Sequence, residues 1–394
     1  MSKEIIFIIK VMHGGGAERV ISLLSHAAAE KGYNVSLLLT HQNKKEAVLH
    51  GIDRRINVIS LPDEISNKKR LSLMPCLIML FARLVGKLGF NEKSSVLKYY
   101  SRNFDSVTWL KKYFKKRKHS SAVAFLYDSI FLALLAKNKS TKVIISERGD
   151  PQQSLGSMTT MVFIKNEFCK ADNFVFQSPD VQKWYEENTP VRGTVIFNPI
   201  KPDLPEPYPG KRSKRIVNFC RIAPEKNLIM LVDAFAEFHK DFPDYELDII
   251  GDPVGNDAEG YIDSVIEHIK HHNCANCIHI MPSRKDIHEY IKDYAMFVSS
   301  SDYEGMSNSM LEAMAMGLPS VCTDCPAGGA RAVIKDGENG LLSPVGDGHA
   351  LYLTMKKIAE NSELANKLSK NSVKIREEQS VDKIIEKWME LING

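Results

Sequence analysis

The feature that most constrains this 394-residue chain is a strand-then-helix alternation that occurs twice, with a proline-rich interruption between the two occurrences. In the first half, Ile5 to Ile9, Val35 to Thr40, Ala122 to Phe125, Val143 to Ser146, Phe174 to Phe176 and Val195 to Phe197 are short apolar runs with helical sequence between them. The first such helix is Ala17 to Glu30, stopped near Gly32. Such alternation predicts a parallel sheet wrapped by helices. Between Asn198 and Ser213, five prolines (Pro199, Pro202, Pro205, Pro207 and Pro209) and Gly210 exclude a regular element. The alternation then restarts: Ile216 to Cys220, helix Leu228 to Lys240, Leu247 to Gly251, helix Ala258 to His271, Ile278 to Met281, Met296 to Ser300, helix Asn308 to Met316, and Ser320 to Cys322. Helical sequence runs from Gly348 onward, and no internal repeat is detectable. The expectation is an α/β chain of two Rossmann-like, doubly wound domains, residues 1–198 and 199–375, with a final helix at 376–394 packing back on the first. In such folds ligands sit beyond the carboxyl ends of the strands, here in a cleft between two facing sheets.

Composition excludes several classes. With 44% hydrophobic and 25% charged residues the chain is an ordinary globular protein, not a disordered one. Its start has an apolar run of strand length without a cleavage site, so it is not read as a signal peptide. The run Leu71 to Phe90 comes closest to a membrane span, but Pro75, Arg83 and Lys87 interrupt it. Seven cysteines without an export signal favour reduced thiols in the cytoplasm. A net charge of +4 and the lack of a recognisable module give no support to nucleic acid as a partner. The basic charge is nevertheless concentrated, in Lys68-Lys69-Arg70 before the apolar run and in Lys111 to Lys118 after it. Segment 68–118 is therefore either a solvated helix face or a contact for anionic lipid headgroups, which would place a cytoplasmic protein on the inner face of the membrane.

Four motifs carry chemistry. The first strand runs into Met12-His13-Gly14-Gly15-Gly16-Ala17-Glu18-Arg19, and a glycine cluster entering a helix admits phosphate or simply makes a tight turn. The spacing fits neither the dinucleotide fingerprint nor a P-loop. Arg221 and Lys226, at a strand-to-helix junction, can converge on a diphosphate, or Arg221 can form a surface ion pair with Glu225. In the stretch Ser299 to Pro319, Glu304, Gly305, Met306, Ser307, Asn308 and Glu312 would set two carboxylates and a row of backbone amides around one ligand. The bland alternative is a helix capped by Ser307 or Asn308, with incidental acids. Two C-x-x-C pairs, Cys274/Cys277 and Cys322/Cys325, stand too far apart for a zinc ribbon and read as buried thiols.

Taken in order, the GGGAER turn, Arg221 with Glu225-Lys226-Asn227, Glu304-x7-Glu312, Gly317-Leu-Pro319, Cys325-Pro-Ala-Gly328-Gly329 and Asp336-Gly-Glu-Asn339-Gly340 resemble retaining GT-B glycosyltransferases. The likeness is to the bacterial branch that builds capsule, O-antigen and lipid-linked oligosaccharides. It implies transfer of a hexose or N-acetylhexosamine from a nucleotide sugar, UDP-linked by preference, to a glycan or polyprenyl-diphosphate-linked acceptor. It also implies roles: Arg221 and Lys226 clamp the diphosphate, Glu304 holds the donor sugar, Glu312 binds ribose hydroxyls, and the Gly15-Gly16 loop closes over phosphate and acceptor. Asp128 falls where relatives carry a residue close to the transferred sugar, its alternative being an N-cap. Glu18, Arg19, Glu147 and Arg148 are taken for the acceptor. No metal is expected, because the Asp-x-Asp signature of the other major glycosyltransferase architecture is absent. Cys220 for glycine, Ala332 beside Arg331 where relatives place an acid, and Ala223 depart from the pattern. A sugar-nucleotide epimerase or hydrolase of the same architecture, or a non-catalytic glycan-binding subunit, would share these features.

Overall fold

The computed structural model describes residues 4–49, 52–66, 73–154, 158–255 and 258–394. They form two compact units: Met1–Pro199 with Val381–Gly394, and Ile200–Ser380.

The first unit is built on seven strands: β1 (Glu4–Ile9), β2 (Asn34–Leu39), β3 (Asn57–Ser60), β4 (Ser121–Phe125), β5 (Lys142–Ser146), β6 (Asn173–Phe176) and β7 (Thr194–Val195). All pair in parallel, in the order β3-β2-β1-β4-β5-β6-β7. Ile5 to Ile9 are all buried because helices cover both faces of the sheet, which is why the strand reads as a continuous apolar run. One face is closed by helix Gly16–Glu30, through Val20, Ile21 and Leu24, and by the last helix, Val381–Asn393, through Ile384, Ile385, Trp388, Met389 and Ile392. β3 was not anticipated, since a four-residue edge strand with Asn and Ser at its ends carries little apolar signal, and the strand placed at Val195 to Phe197 is Thr194–Val195.

Between β3 and β4 stand the helices Leu61–Ser66, Met74–Lys87, Asn91–Arg102 and Phe104–Lys116. The basic triplet at 68–70 and Leu71 lie outside the described residues. Among the described residues, no helix is long and apolar enough to cross a membrane.

The second unit has six parallel strands, β8 (Arg215–Phe219), β9 (Glu246–Ile250), β10 (Ile278–Met281), β11 (Met296–Ser299), β12 (Ser320–Thr323) and β13 (Leu341–Ser343), in the order β10-β9-β8-β11-β12-β13. Strand β13, three residues long, was also not anticipated. Helix Leu228–Asp241 buries Leu228, Leu231, Phe235 and Phe238 against this sheet. The proline-rich segment carries no helix or strand but is fastened: Arg212 donates to the carbonyls of Lys292 (3.2 Å), Tyr294 (3.0 Å) and Gly317 (2.6 Å). In each unit the strand order reverses once, between β1 and β4 and between β8 and β11, and a crevice opens at the carboxyl ends of such neighbours.

Candidate functional site

In the second unit the loops after β8 and β11 are laced together. Asn227 takes a left-handed conformation (φ 43°) that ends the short turn Pro224–Lys226, and its side chain caps helix Leu228–Asp241 by accepting from the Met230 N–H at 3.2 Å. The same side chain donates to Asp302 at 2.7 Å, the Asp302 N–H donates to the Glu225 carbonyl at 3.0 Å, and the Ser300 hydroxyl donates to the Lys226 carbonyl at 2.8 Å. These bonds bring Lys226 and Glu304, 78 positions apart, into an ion pair whose side chains are only 11% and 25% exposed. Burial pulls the Lys226 pKa down, but the Glu304 carboxylate beside it, together with Cys220, more than offsets this, so the ammonium is held above its ordinary value and stays charged. Arg221 stands apart: it is half-exposed and pairs with Glu225 at 3.3 Å, the surface ion pair weighed from the sequence.

The carboxylate loop is held from below. A Cβ on Gly329 would come within 1.6 Å of the Gly305 carbonyl oxygen, so the Pro326-to-Gly329 turn packs directly against the Glu304-Gly305 backbone. Thr323 donates to the Ser301 carbonyl at 2.6 Å. Gly251 is equally confined, since its Cβ would lie 1.7 Å from the Cys220 carbonyl oxygen. The Cys220 thiol turns to Asn218 at 3.0 Å, and burial pushes its pKa up to about 12. Met306 is buried, and Ser307, not Asn308, caps helix Asn308–Ala315, accepting from the Met310 N–H at 3.3 Å. Glu312 is 3% exposed and faces the His288 ring at 2.9 Å. His288 was not singled out from the sequence, where nothing about an isolated histidine in Asp286-Ile-His-Glu-Tyr marks a partner 24 residues away.

The first unit gathers a second group at the carboxyl ends of β1, β2 and β4. Asp128 pairs with Lys10 at 2.7 Å. It lies in the first turn of helix Tyr127–Ala136 but does not cap it, as the alternative reading had it: the cap position is Leu126, at φ 68°. The His41 ring lies close to both charges; desolvation lowers its pKa, with Asp128 opposing. Gln42 accepts from the Met12 N–H at 2.7 Å and touches the His13 ring at 3.2 Å. Lys10 and His41 carry no motif and were not named from the sequence.

At the glycine turn, the N–H groups of His13, Gly14 and Gly15 all donate to one oxygen of Glu18, the last two at 2.6 and 2.9 Å. The anion these amides hold is the carboxylate of Glu18, folded back over the start of helix Gly16–Glu30, where the helix dipole favours negative charge. Arg19 beside it is exposed. Glu147 and Arg148 lie at the end of β5. Glu147 is 3% exposed, accepts from the Gly149 N–H at 2.8 Å, and is pushed up to about 7 by burial. Arg148 donates to Asn198 and, at 3.1 Å, to Ser146, and stacks over Phe125 at 4.8 Å. The four cysteines of the two C-x-x-C pairs are all buried and free.

Comparison with known proteins gives these two sheets a class. Residues 203–375 match the family described as glycosyl transferases group 1. The chain superposes on TarM with a TM-score of 0.79 at 15% identity, over 100% of this chain and 99% of that one. It superposes on Anabaena HepE, crystallised with UDP and glucose, with a TM-score of 0.76 at 17% identity over 99% of each chain. The fold is thus GT-B, as expected from the sequence. At the sequence level the chain is 25% identical, over 95% of both chains, to a Campylobacter jejuni enzyme named N-acetylgalactosamine-N,N'-diacetylbacillosaminyl-diphospho-undecaprenol 4-alpha-N-acetylgalactosaminyltransferase. The domain match and these neighbours together support a glycosyltransferase.

Proposed function

We propose that the chain is a retaining, metal-independent glycosyltransferase that moves a hexose or N-acetylhexosamine from a nucleotide diphosphate sugar, UDP-linked by preference, to a glycan or polyprenyl-diphosphate-linked acceptor in bacterial surface polysaccharide synthesis. The observation that carries this reading is the Lys226–Glu304 pair at the switch point of the second sheet. A cation kept charged in a shielded crevice, beside the capped N-terminus of helix Asn308–Ala315, suits the negative charge that builds up as a nucleotide diphosphate leaves. In this reading Lys226 and Arg221 take the diphosphate, Glu304 passes from Lys226 to the sugar hydroxyls, and Glu312, oriented by His288, takes the ribose. Asp128 with Lys10 serves the transferred sugar, while Glu147 and Arg148 position the acceptor. The UDP found with HepE and the lipid-linked acceptor named for the Campylobacter relative favour the donor and acceptor chosen. The test is transfer from UDP-sugars to a lipid-linked acceptor. Lys226→Ala is expected to lower kcat about 10²–10³-fold at saturating donor, the loss typical of removing one charge-stabilising group, and a full rate would remove the proposed role. Turnover in EDTA is expected to be unchanged, and NMR of the product to show the donor's anomer. Nucleotide release without acceptor would point instead to a hydrolase or epimerase.

We also read helix Met74–Lys87 as the contact with an anionic bilayer. Its only fully buried residue is Ala82, because the helix packs on Asn91–Arg102 through a stripe of small residues. The Ala82 carbonyl accepts from the Ser94 hydroxyl at 2.8 Å, and a Cβ on Gly86 would meet the Ser94 hydroxyl oxygen at 2.9 Å. The large side chains therefore face outward: Leu73, Leu77, Leu80, Phe81, Leu84 and Leu88 are all more than half exposed. Between Leu73 and Phe90 the only charges are Arg83 and Lys87, and Lys93 stands over the Phe90 ring at 5.3 Å. An apolar face ringed by cations and free of acids complements anionic headgroups, whereas pairing with a second copy would set like charges together. Co-flotation with phosphatidylglycerol vesicles, lost in Leu77→Glu/Leu84→Glu, is expected; no binding at low salt would refute it.

A further inference from the structure

The outer layer of the second unit carries a group of side chains unconnected with the loops described above. His268 and His272 stand four positions apart at the end of helix Ala258–His271, so their rings project from the same face. Asp233 faces them from the second turn of helix Leu228–Asp241. One oxygen of Asp233 lies 3.1 Å from Nδ1 of His268 and 2.8 Å from Nε2 of His272, and the three ligand atoms all lie within 4.8 Å of one another. Each side chain is between 31% and 44% exposed, so water and ions reach the group.

We propose that Asp233, His268 and His272 form a binding site for a zinc-type divalent transition-metal ion. An ion about 2.0–2.1 Å from each ligand in tetrahedral geometry needs its ligand atoms about 3.3 Å apart, so the two short distances must open by about 0.2 and about 0.5 Å while the two ring nitrogens, within 4.8 Å of each other, settle at the same spacing by side-chain rotation. Two imidazole nitrogens with one carboxylate are borderline donors that suit zinc, cobalt or nickel and disfavour calcium and magnesium, which take oxygen ligands. The C-terminal end of helix Ala258–His271 adds the negative pole of its dipole, which favours a cation there. The neighbouring cysteines belong to another layer: Cys274 and Cys277 are buried in the apolar core, where each thiol faces a backbone carbonyl, and burial holds the Cys277 thiol protonated with its pKa up to about 12.

The ion would tie together two helices that otherwise meet through apolar side chains and one hydrogen bond, from the Leu228 N–H to the Tyr261 hydroxyl at 2.7 Å. One of them begins at Asn227, next to Lys226, so the site anchors the helix from which the loop after β8 is hung. It shares no ligand with that loop, and the metal-independent chemistry proposed above does not pass through it.

The test uses the full chain, stripped with a chelator and then titrated with cobalt(II) and zinc. Wild-type protein and the control His271→Gln, whose ring is exposed on the neighbouring position, are expected to take up one equivalent with the visible absorption of a tetrahedral cobalt centre. Zinc in excess is expected to raise their thermal midpoint by about 3–6 °C. Asp233→Asn, His268→Gln and His272→Gln are expected to bind at least tenfold more weakly and to lose the shift. X-ray absorption at the zinc edge of the wild-type protein guards against variants that fail to fold: two imidazole nitrogens in the first shell support the site. Sulfur in that shell would assign the metal to Cys274 and Cys277 and overturn the proposal. Absence of binding at about 100 µM metal, or binding untouched by the three substitutions, would overturn it equally.

Discussion

Glu147 shows at one residue how burial turns into a pH dependence. Its carboxyl is fully enclosed at the end of β5, and burial lifts its pKa from 4.5 to about 7, against the pull of two backbone N–H groups and Arg148. The folded state therefore holds this proton to higher pH than the unfolded chain does. The associated stability is complete below about pH 4.5 and is lost as pH rises through about 7. Glu147→Gln keeps a neutral acceptor for the Gly149 N–H and removes the titration. The variant is expected to be more stable than the wild type at pH 8, by at most about 3 kcal/mol, and to lose that advantage at pH 4.5. Urea midpoints at the two pH values decide it, and an equal gap at both would show that Glu147 does not titrate in the folded protein. His288 invites a complementary measurement. Because Glu312 is buried against its ring, His288→Ala leaves a carboxylate without that partner and is expected to cost about 1–3 kcal/mol. Glu312→Gln in the same background should recover part of the loss.

At the scale of elements, the packing of loops under Glu304 depends on glycine in a way that substitution can measure. Gly329→Ala places a methyl 1.6 Å from a backbone oxygen, so the Glu304-Gly305 loop must move; a loss of about 2–3 kcal/mol is expected, together with weaker donor binding. Gly348→Ala, whose methyl would find Met230 at an ordinary 3.4 Å, is expected to be neutral to within about 0.5 kcal/mol. Chemical denaturation and donor titration on the two variants separate a steric cause from a general loss of flexibility. The same elements show what sequence reasoning reaches. Strands such as β1, β4 and β8 were legible because helices on both faces require unbroken apolar runs, and a cap at Ser307 or Asn308 was legible because both precede a helix, the choice between them resting on side-chain direction. Edge strands β3 and β13 were not, being only three or four residues long. The Lys226–Glu304 pair joins two motifs that the sequence marked, yet the pairing itself comes from strand order. The Glu18 carboxylate occupying the glycine turn, and His288 behind Glu312, depend on side-chain direction, which spacing alone does not encode.

At the scale of the whole chain, the two units differ in how their sequence is drawn together, and this predicts different autonomy. The second unit is one continuous stretch, Ile200–Ser380, with its own core from Ile216 to Leu368 and its proline-rich lead fastened by Arg212. The first unit is closed by residues from both ends of the chain. Trp388 lies against Phe125 at 5.8 Å between ring centres, and Ile384, Ile385 and Ile392 are likewise buried in that core. Deleting Val381–Gly394 uncovers one face of the seven-stranded sheet, and removing a single large aromatic from a core already costs about 3–5 kcal/mol, a large share of a domain's net stability. A fragment of residues 200–380 is therefore expected to unfold cooperatively by itself, with dispersed amide resonances. Residues 1–199 alone are expected to remain loosely packed, to bind a hydrophobic dye, and to recover a sharp transition when a peptide of residues 381–394 is supplied. Cooperative unfolding of 1–199 without the peptide would mean that the last helix is an accessory to this core and not a part of it.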